Sequence, residues 1–261
     1  MRPYREFIYA HAASASCTVI GHRGACAYFP ENTLASFKGA LEMGADMVEL
    51  DVQRTRDGEV VVMHDERVNR CTDGRGRVAD FSFAGIRALD AGSWFAGRFA
   101  GEKVPALEEV LELCRGRLAI NVEIKTEAVG DAARGGIEEA VLGLVARSGM
   151  NGHVVYSSFD PRALAHLRQV DESAPIAVLY KKKHFRNMGP REIVAGMNAD
   201  CFNCSREELG NEWMEEILNN HIPVNVYTVN SKRDIARLVR AGVSGIFTNK
   251  PDLMRAVLDT Q

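Results

Sequence analysis

Short Val- and Ile-rich runs alternate with helix-periodic segments almost to the end of the chain, and nothing else constrains the fold as much. The runs are "TVIG" (18–21), "DMVELDV" (46–52), "EVVVM" (59–63), "LAINVEI" (118–124), "HVVYSS" (153–158), "PIAVLY" (175–180), "DCFN" (200–203), "PVNVYTV" (223–229) and "SGIFT" (244–248). Most are short and apolar, as buried parallel strands are. Between them, Leu34, Phe37 and Leu41 fall at i, i+3 and i+7, one helical face. Leu107, Val110, Leu111 and Cys114 repeat that pattern after Pro105, with Glu108 and Glu109 in the first turn. Segments 133–147, 161–170, 207–219, 231–241 and 251–258 are helical in pattern too. Asp160, Ser231 and Asn249 stand where N-caps or helix starts belong. Strand-then-helix repeated about eight times predicts a parallel sheet with helices outside. With 261 residues, the expectation is an α/β chain closed into a (β/α)8 TIM barrel, a doubly wound open sheet being the alternative. Stretch 65–104 breaks the rhythm, rich in Gly, Asp and Arg with little periodicity. It reads as a small inserted subdomain following the 59–63 strand and folding over one end of the barrel.

Net charge is -3, so nothing global argues for nucleic acid or an anionic membrane. Affinity for an anion must come from a local site. No apolar run approaches the roughly 20 residues that span a bilayer. The first 17 residues, "MRPYREFIYAHAASASC", have early arginines but no leucine-rich h-region, and read as an N-terminal extension before a barrel domain at 18–261. The six cysteines are scattered, and only Cys201 and Cys204 form a CxxC. No second pair or nearby histidine completes a zinc set. The expectation is a reduced cytoplasmic protein, an exported form being the alternative.

In a (β/α)8 barrel, functional groups belong at the C-terminal ends of the strands. Glu49 and Asp51 are two apart on one strand and share a face, while Val48, Leu50 and Val52 take the other. Glu123 repeats the pattern on "LAINVEIK", with Lys125 two residues further on. Three carboxylates converging at a barrel mouth suit a hard divalent cation with oxygen ligands, Mg2+ or Ca2+. Taken singly, each could equally be solvated and paired with an arginine such as Arg54. His22 ends the first strand and His64 ends the 59–63 strand, which puts both on the carboxylates' rim. They read as a general acid and a general base. Arg23 and Lys125 add fixed positive charge, suited to a tetrahedral anion and to the charge that builds on it. The residue types predict metal-assisted phosphoryl chemistry without naming the ester.

"GHRGACAYFPENTLASFKGALEMGADMVELDVQRTRDGEVVVMHD" resembles the opening of the glycerophosphodiester phosphodiesterases: His-Arg-Gly, Pro-Glu-Asn-Thr, Glu-x-Asp, then His-Asp. The resemblance continues through "RCTDGRGRVADFSFAGIRALDAGSWF", "VPALEEVLELC", "NVEIK", "VNVYTVN" and "GIFTNKPD", spanning roughly residues 18 to 255. It implies a (β/α)8 barrel with a small inserted subdomain. It also implies hydrolysis of a small-molecule glycerophosphodiester to an alcohol and sn-glycerol 3-phosphate with one divalent metal ion. On the matching positions, it implies His22 and His64 as the acid–base pair and Glu49, Asp51 and Glu123 as metal ligands. Arg23 and Lys125 become phosphate contacts, and Asn32 an organiser of the first loop and of His22. Glu31 would reach the metal or serve the helix N-terminus. Tyr227 stands where the family commonly has Trp, so an aromatic wall remains but gains a hydroxyl. Phe159 is a further wall candidate, or simple core. "TNKPD" replaces the more usual Thr-Asp-x-Pro-Asp, and Asn249 is expected to cap a helix with little effect on chemistry. Two other functions stay open. One is a lysophospholipase D using the same site, with "SFAGI" and "SWFAGRF" as an apolar patch or as the subdomain's own core. The other is a non-catalytic phosphodiester-binding barrel. A homo-oligomer is left open.

Overall fold

A computed structural model describes residues 17–260. The expected N-terminal extension falls on residues outside this range, Cys17 excepted. The strands are β1 Thr18–His22, β2 Met47–Arg54, β3 Val60–Val62, β4 Ala119–Ile124, β5 Val154–Ser158, β6 Ile176–Leu179, β7 Cys201–Ser205, β8 Val224–Tyr227 and β9 Gly245–Thr248. They hydrogen-bond in the order β1-β9-β8-β7-β6-β5-β4-β2-β3, and β1 also pairs with β2. Eight parallel strands therefore close on themselves: a TIM barrel, as the alternation predicts. The helices are α1 Leu34–Glu42, α2 Phe83–Ala88, α3 Leu107–Cys114, α4 Ile137–Arg147, α5 Pro161–Val170, α6 Pro190–Met197, α7 Asn211–Asn219, α8 Lys232–Ala241 and α9 Pro251–Leu258. Asp160 and Ser231 cap α5 and α8 by accepting from Arg162 N and Asp234 N.

Period-2 alternation sorts the core into two compartments. Val48, Leu50 and Val52, with Ile120, Val122 and Ile124, face outward into one large cluster with Phe37, Leu107, Leu111 and Leu167 of the helices. Inside the barrel, Ile20, Met47, Ala119, Val155, Ala177, Cys201 and Phe247 form an apolar floor. Residues one step further along the same inward rows are polar: His22, Glu49, Asn121, Ser157, Asn203 and Asn225. Cys201 and Cys204 fall in different compartments, and both are buried thiols outside any disulfide. No helix among the described residues is long and apolar enough to cross a membrane.

One expectation needs correction. Segment 59–63 is not a parallel barrel strand. β3 runs antiparallel to β2 and pairs with no other named strand. β2 is eight residues long and climbs past the rim, turns at Thr55–Glu59 (Thr55 N to Glu59 O, 2.9 Å) and comes back down beside itself. Helix α6 is not among the segments expected to be helical, although Pro190 opens it and Ile193 and Met197 stand one turn apart. It is short, contains Gly196 and has no side-chain N-cap bond. Its packing rests chiefly on Ile193, which is fully buried. Segment 65–104 has a cluster of its own, Val68, Cys71, Val78, Ile86, Ala91 and Val104, against Val61 and Met63. Phe81, Phe83 and Leu89 pack on that cluster, whereas Trp94 is exposed.

Candidate active site

Glu49, Asp51 and Glu123 converge as the strand pattern predicts. All three are buried, and one carboxylate oxygen from each lies within 4.8 Å of the others. Leaving three buried carboxylates together is costly without counter-charge. Lys125 Nζ donates to Glu123 Oε1 at 2.7 Å and stands 3.2 Å from Asp51 Oδ1. Arg23 N donates to Glu49 Oε2 at 2.9 Å. Burial, then Asp51 and Glu123, push the Glu49 carboxyl well above its ordinary value. Burial and Asp51 also raise Glu123. Burial alone would raise Asp51, but Lys125 and then Arg23 hold it well below the usual carboxylate range. Asp51 Oδ1 is buried with no donor in hydrogen-bond geometry. Three oxygen donors in one spot, one of them unsatisfied and another driven toward protonation, fit a hard divalent cation.

The turn after β1 follows from the His-Arg-Gly sequence. Arg23 and Gly24 both take positive φ, 52° and 84°. A Cβ at Gly24 would stand 2.4 Å from Ser36 Oγ, so only glycine passes there. This turn aims Arg23 inward. Its Nε lies 3.5 Å from Asp51 Oδ2 and is buried without a hydrogen-bond acceptor, an unused donor beside the carboxylates.

His22 and His64 line one cavity of about 260 Å³ together with Arg23, Glu49 and Glu123. His64 reaches it by a route other than the predicted one. The returning strand β3 ends with Met63 N donating to Asp51 O at 2.9 Å, and Gln53 Nε2 pins Met63 O and Asp65 O at 2.9 and 2.6 Å. His22 Nδ1 donates to Asn249 Oδ1 at 2.7 Å. Burial, then Arg23, lowers His22 to about 4, so the ring is neutral near pH 7 with its Nε2 lone pair free. His64 Nδ1 donates to Asp65 Oδ1 at 2.7 Å. Hydrogen bonds from Arg70 push Asp65 down to about 2, so His64 faces an ionised carboxylate.

Three residues differ from their expected roles. Asn249 is not a helix cap, since Lys250 holds that position in α9. Asn32 differs only in part: its N donates to Arg23 O in the first loop at 3.2 Å, but its side chain bonds Asp51 rather than His22, Nδ2 donating to Asp51 Oδ2 at 2.9 Å. Glu31 serves neither helix nor carboxylate cluster. It accepts from Arg23 Nη1 at 2.8 Å and from Arg70 through two bonds of 2.8 Å, while Thr33 caps α1. Arg54 pairs with none of the three acids and donates to Gly58 O and Gly135 O.

Arg70 escapes any reading of the sequence. It lies in the aperiodic segment, yet it also binds Asp65 through Nε (2.7 Å) and Nη2 (3.0 Å). One guanidinium thus joins the partner of His64 to the partner of Arg23. Arg70→Met is expected to lower kcat by about 10²-fold, the cost of a misplacement of about 1 Å. Arg70→Lys should retain more. Steady-state kinetics and circular dichroism on both variants check this, and wild-type kcat in Arg70→Met contradicts it.

Phe159 and Tyr227 both line the cavity, with ring centroids 6.0 Å apart, edge to face. The Tyr227 hydroxyl donates to Tyr180 O at 3.4 Å.

The family described as the Glycerophosphoryl diester phosphodiesterase family matches residues 22–253. A glycerophosphodiester phosphodiesterase of Caldanaerobacter subterraneus subsp. tengcongensis is 38% identical over 237 residues, 90% of this chain and 95% of that one. The crystal structure of glycerophosphodiester phosphodiesterase from Agrobacterium tumefaciens str. C58 superposes with a TM-score of 0.82 at 29% identity, covering 92% of this chain and 100% of the other. A phosphodiesterase of Oleispira antarctica, solved with the product sn-glycerol-3-phosphate, gives 0.82 at 25% identity over 95% and 99%.

Proposed function

Because the chain belongs to the glycerophosphoryl diester phosphodiesterase family, we propose that it hydrolyses glycerophosphodiesters to an alcohol and sn-glycerol 3-phosphate, with His22 and His64 as base and acid. The observation that carries the reading is that both rings line one cavity with Arg23, Glu49 and Glu123. The Oleispira structure holds the product this reading requires.

The phosphodiester lies against Arg23 and Lys125, whose fixed charges meet the phosphoryl oxygens. His22, neutral and held through Nδ1 by Asn249, takes the nucleophile's proton on Nε2. The nucleophile's oxygen bonds to phosphorus as the bond to the leaving oxygen breaks. His64, held through Nδ1 by Asp65, gives its proton to the departing alcohol. The nucleophile is water, or the glycerol 2-hydroxyl, in which case water then opens a cyclic phosphate and the two rings exchange roles. Glu49, Asp51 and Glu123 would hold a divalent cation, Mg2+ or Ca2+, which when bound adds positive charge against the phosphoryl group.

Asn249→Leu removes one neutral hydrogen bond that orients the His22 ring. The loss is about 1.4 kcal/mol, or about tenfold in kcat, with little change in KM. Asn249→Asp keeps an acceptor at the same place and should recover much of the rate; equal losses in both variants contradict the role. The reading as a whole is tested on glycerophosphocholine and lysophosphatidylcholine side by side with Mg2+ or Ca2+. Higher kcat/KM on glycerophosphocholine is expected. Preference for the lysophospholipid makes the protein a lysophospholipase D, and tight binding without turnover makes it a binding barrel.

A further inference from the structure

Beside the cavity that holds both histidines lies a second, wider and more solvent-open pocket of about 540 Å³, the outer chamber. The two share His64, Glu123 and Phe159, but His22 lines only the inner one. If His64 protonates the leaving alcohol, that alcohol departs on the side where His64 stands without His22. The inner chamber, about 260 Å³, is the smaller and takes the glycerophosphate common to all such substrates. The outer one takes the part of the substrate that varies.

Most charges around the outer chamber are already matched. Asp65 is held by His64 and Arg70, Glu66 by Arg77 at 2.8 Å, and Glu123 by Lys125 at 2.7 Å. Glu127 and Lys181 line the chamber and have no ion-pair partner among the described residues. Both side chains are exposed at the chamber's mouth, but Lys181 is held in place. Its ammonium sits 5.8 Å from the centroid of the Phe159 ring, which walls both chambers. Its carbonyl accepts from His184 N at 2.9 Å and Phe185 N at 3.3 Å, and Phe185 is buried against Tyr180. The turn that carries it is therefore anchored, and the exposed Lys182 and Lys183 follow directly.

We infer that the outer chamber is the subsite for the leaving alcohol and that it selects an alcohol bearing both a carboxylate and an ammonium group, of which serine is the simplest. Lys181 meets the carboxylate and Glu127 the ammonium. An alcohol carrying only a cation finds Glu127 but is opposed by Lys181. This inference rests on the phosphodiesterase reading above and adds its substrate class.

The test compares kcat/KM for glycerophosphoserine, glycerophosphoethanolamine and glycerophosphoglycerol, so that the amount of folded enzyme cancels in each ratio. The serine diester should exceed the ethanolamine diester by about two- to fivefold, the scale of an exposed charge pair. Lys181→Met should bring that ratio close to one. Glu127→Gln should lower both amino-bearing substrates relative to the glycerol one. A wild-type ratio near one, or one unmoved by Lys181→Met, overturns the subsite while leaving the phosphodiesterase reading standing. No turnover of any of the three overturns that reading, and this inference with it.

Discussion

Alanine at His64 lowers kcat by about 10²–10⁴-fold, the range for loss of a positioned acid or base, and alanine at His22 does the same. The two losses should differ in kind. His22 is neutral and bonded to an amide oxygen, whereas His64 faces an ionised carboxylate. A diester of glycerol phosphate with p-nitrophenol has a leaving group that needs no proton. His64→Ala should therefore recover most of its loss on that substrate, while His22→Ala stays slow. The double variant should lose less than the product of the single losses, because the two rings act in one step. Equal recovery in both single variants would remove the division of labour, and wild-type rates in either would remove that residue from the mechanism.

Removal of divalent metal is the second large effect. Three carboxylates are buried within one small space, and Lys125 and Arg23 supply only part of the compensation. Chelation is expected to reduce turnover to near background, with recovery on adding Mg2+ or Ca2+. The binding itself should be visible without any substrate. At a hundred times its Kd, a ligand specific for the folded state stabilises by about 2.7 kcal/mol, which in a chain of this size raises Tm by roughly 5–10 °C. Glu49→Gln should lose most of that shift. The same variant should raise the Tm of the metal-free protein, because it removes the carboxyl whose ionisation burial and Asp51 oppose most strongly. A metal-dependent Tm shift in Glu49→Gln equal to wild type would place the cation elsewhere.

Features encoded by local period are legible in the sequence. Glu49, Asp51 and Glu123 stand out because charge at every second position of an apolar strand has one geometric meaning, and the strand-end position of His22 follows from the same rule. His64 falls on the predicted rim for a different physical reason. Its strand returns antiparallel along β2, and three valines look alike in either direction. Asn249 illustrates a different limit. An amide ahead of Lys-Pro reads as a cap, and only the closure of β9 onto β1 shows that it meets His22 across 227 positions. Arg70 is invisible for the same reason. Its bonds to Glu31 span 39 positions from a segment without periodicity, so no spacing rule reaches it.

Which phosphorus–oxygen bond breaks, and whether it breaks without metal, tests the central claim most directly. The purified enzyme is stripped with chelator, divided, and given glycerophosphoethanolamine with and without Mg2+ or Ca2+, and the products are separated. sn-Glycerol 3-phosphate and ethanolamine in equal amounts, formed only in the metal-containing samples, are the predicted result. Free glycerol with phosphoethanolamine, or undiminished turnover in the stripped sample, would contradict the account.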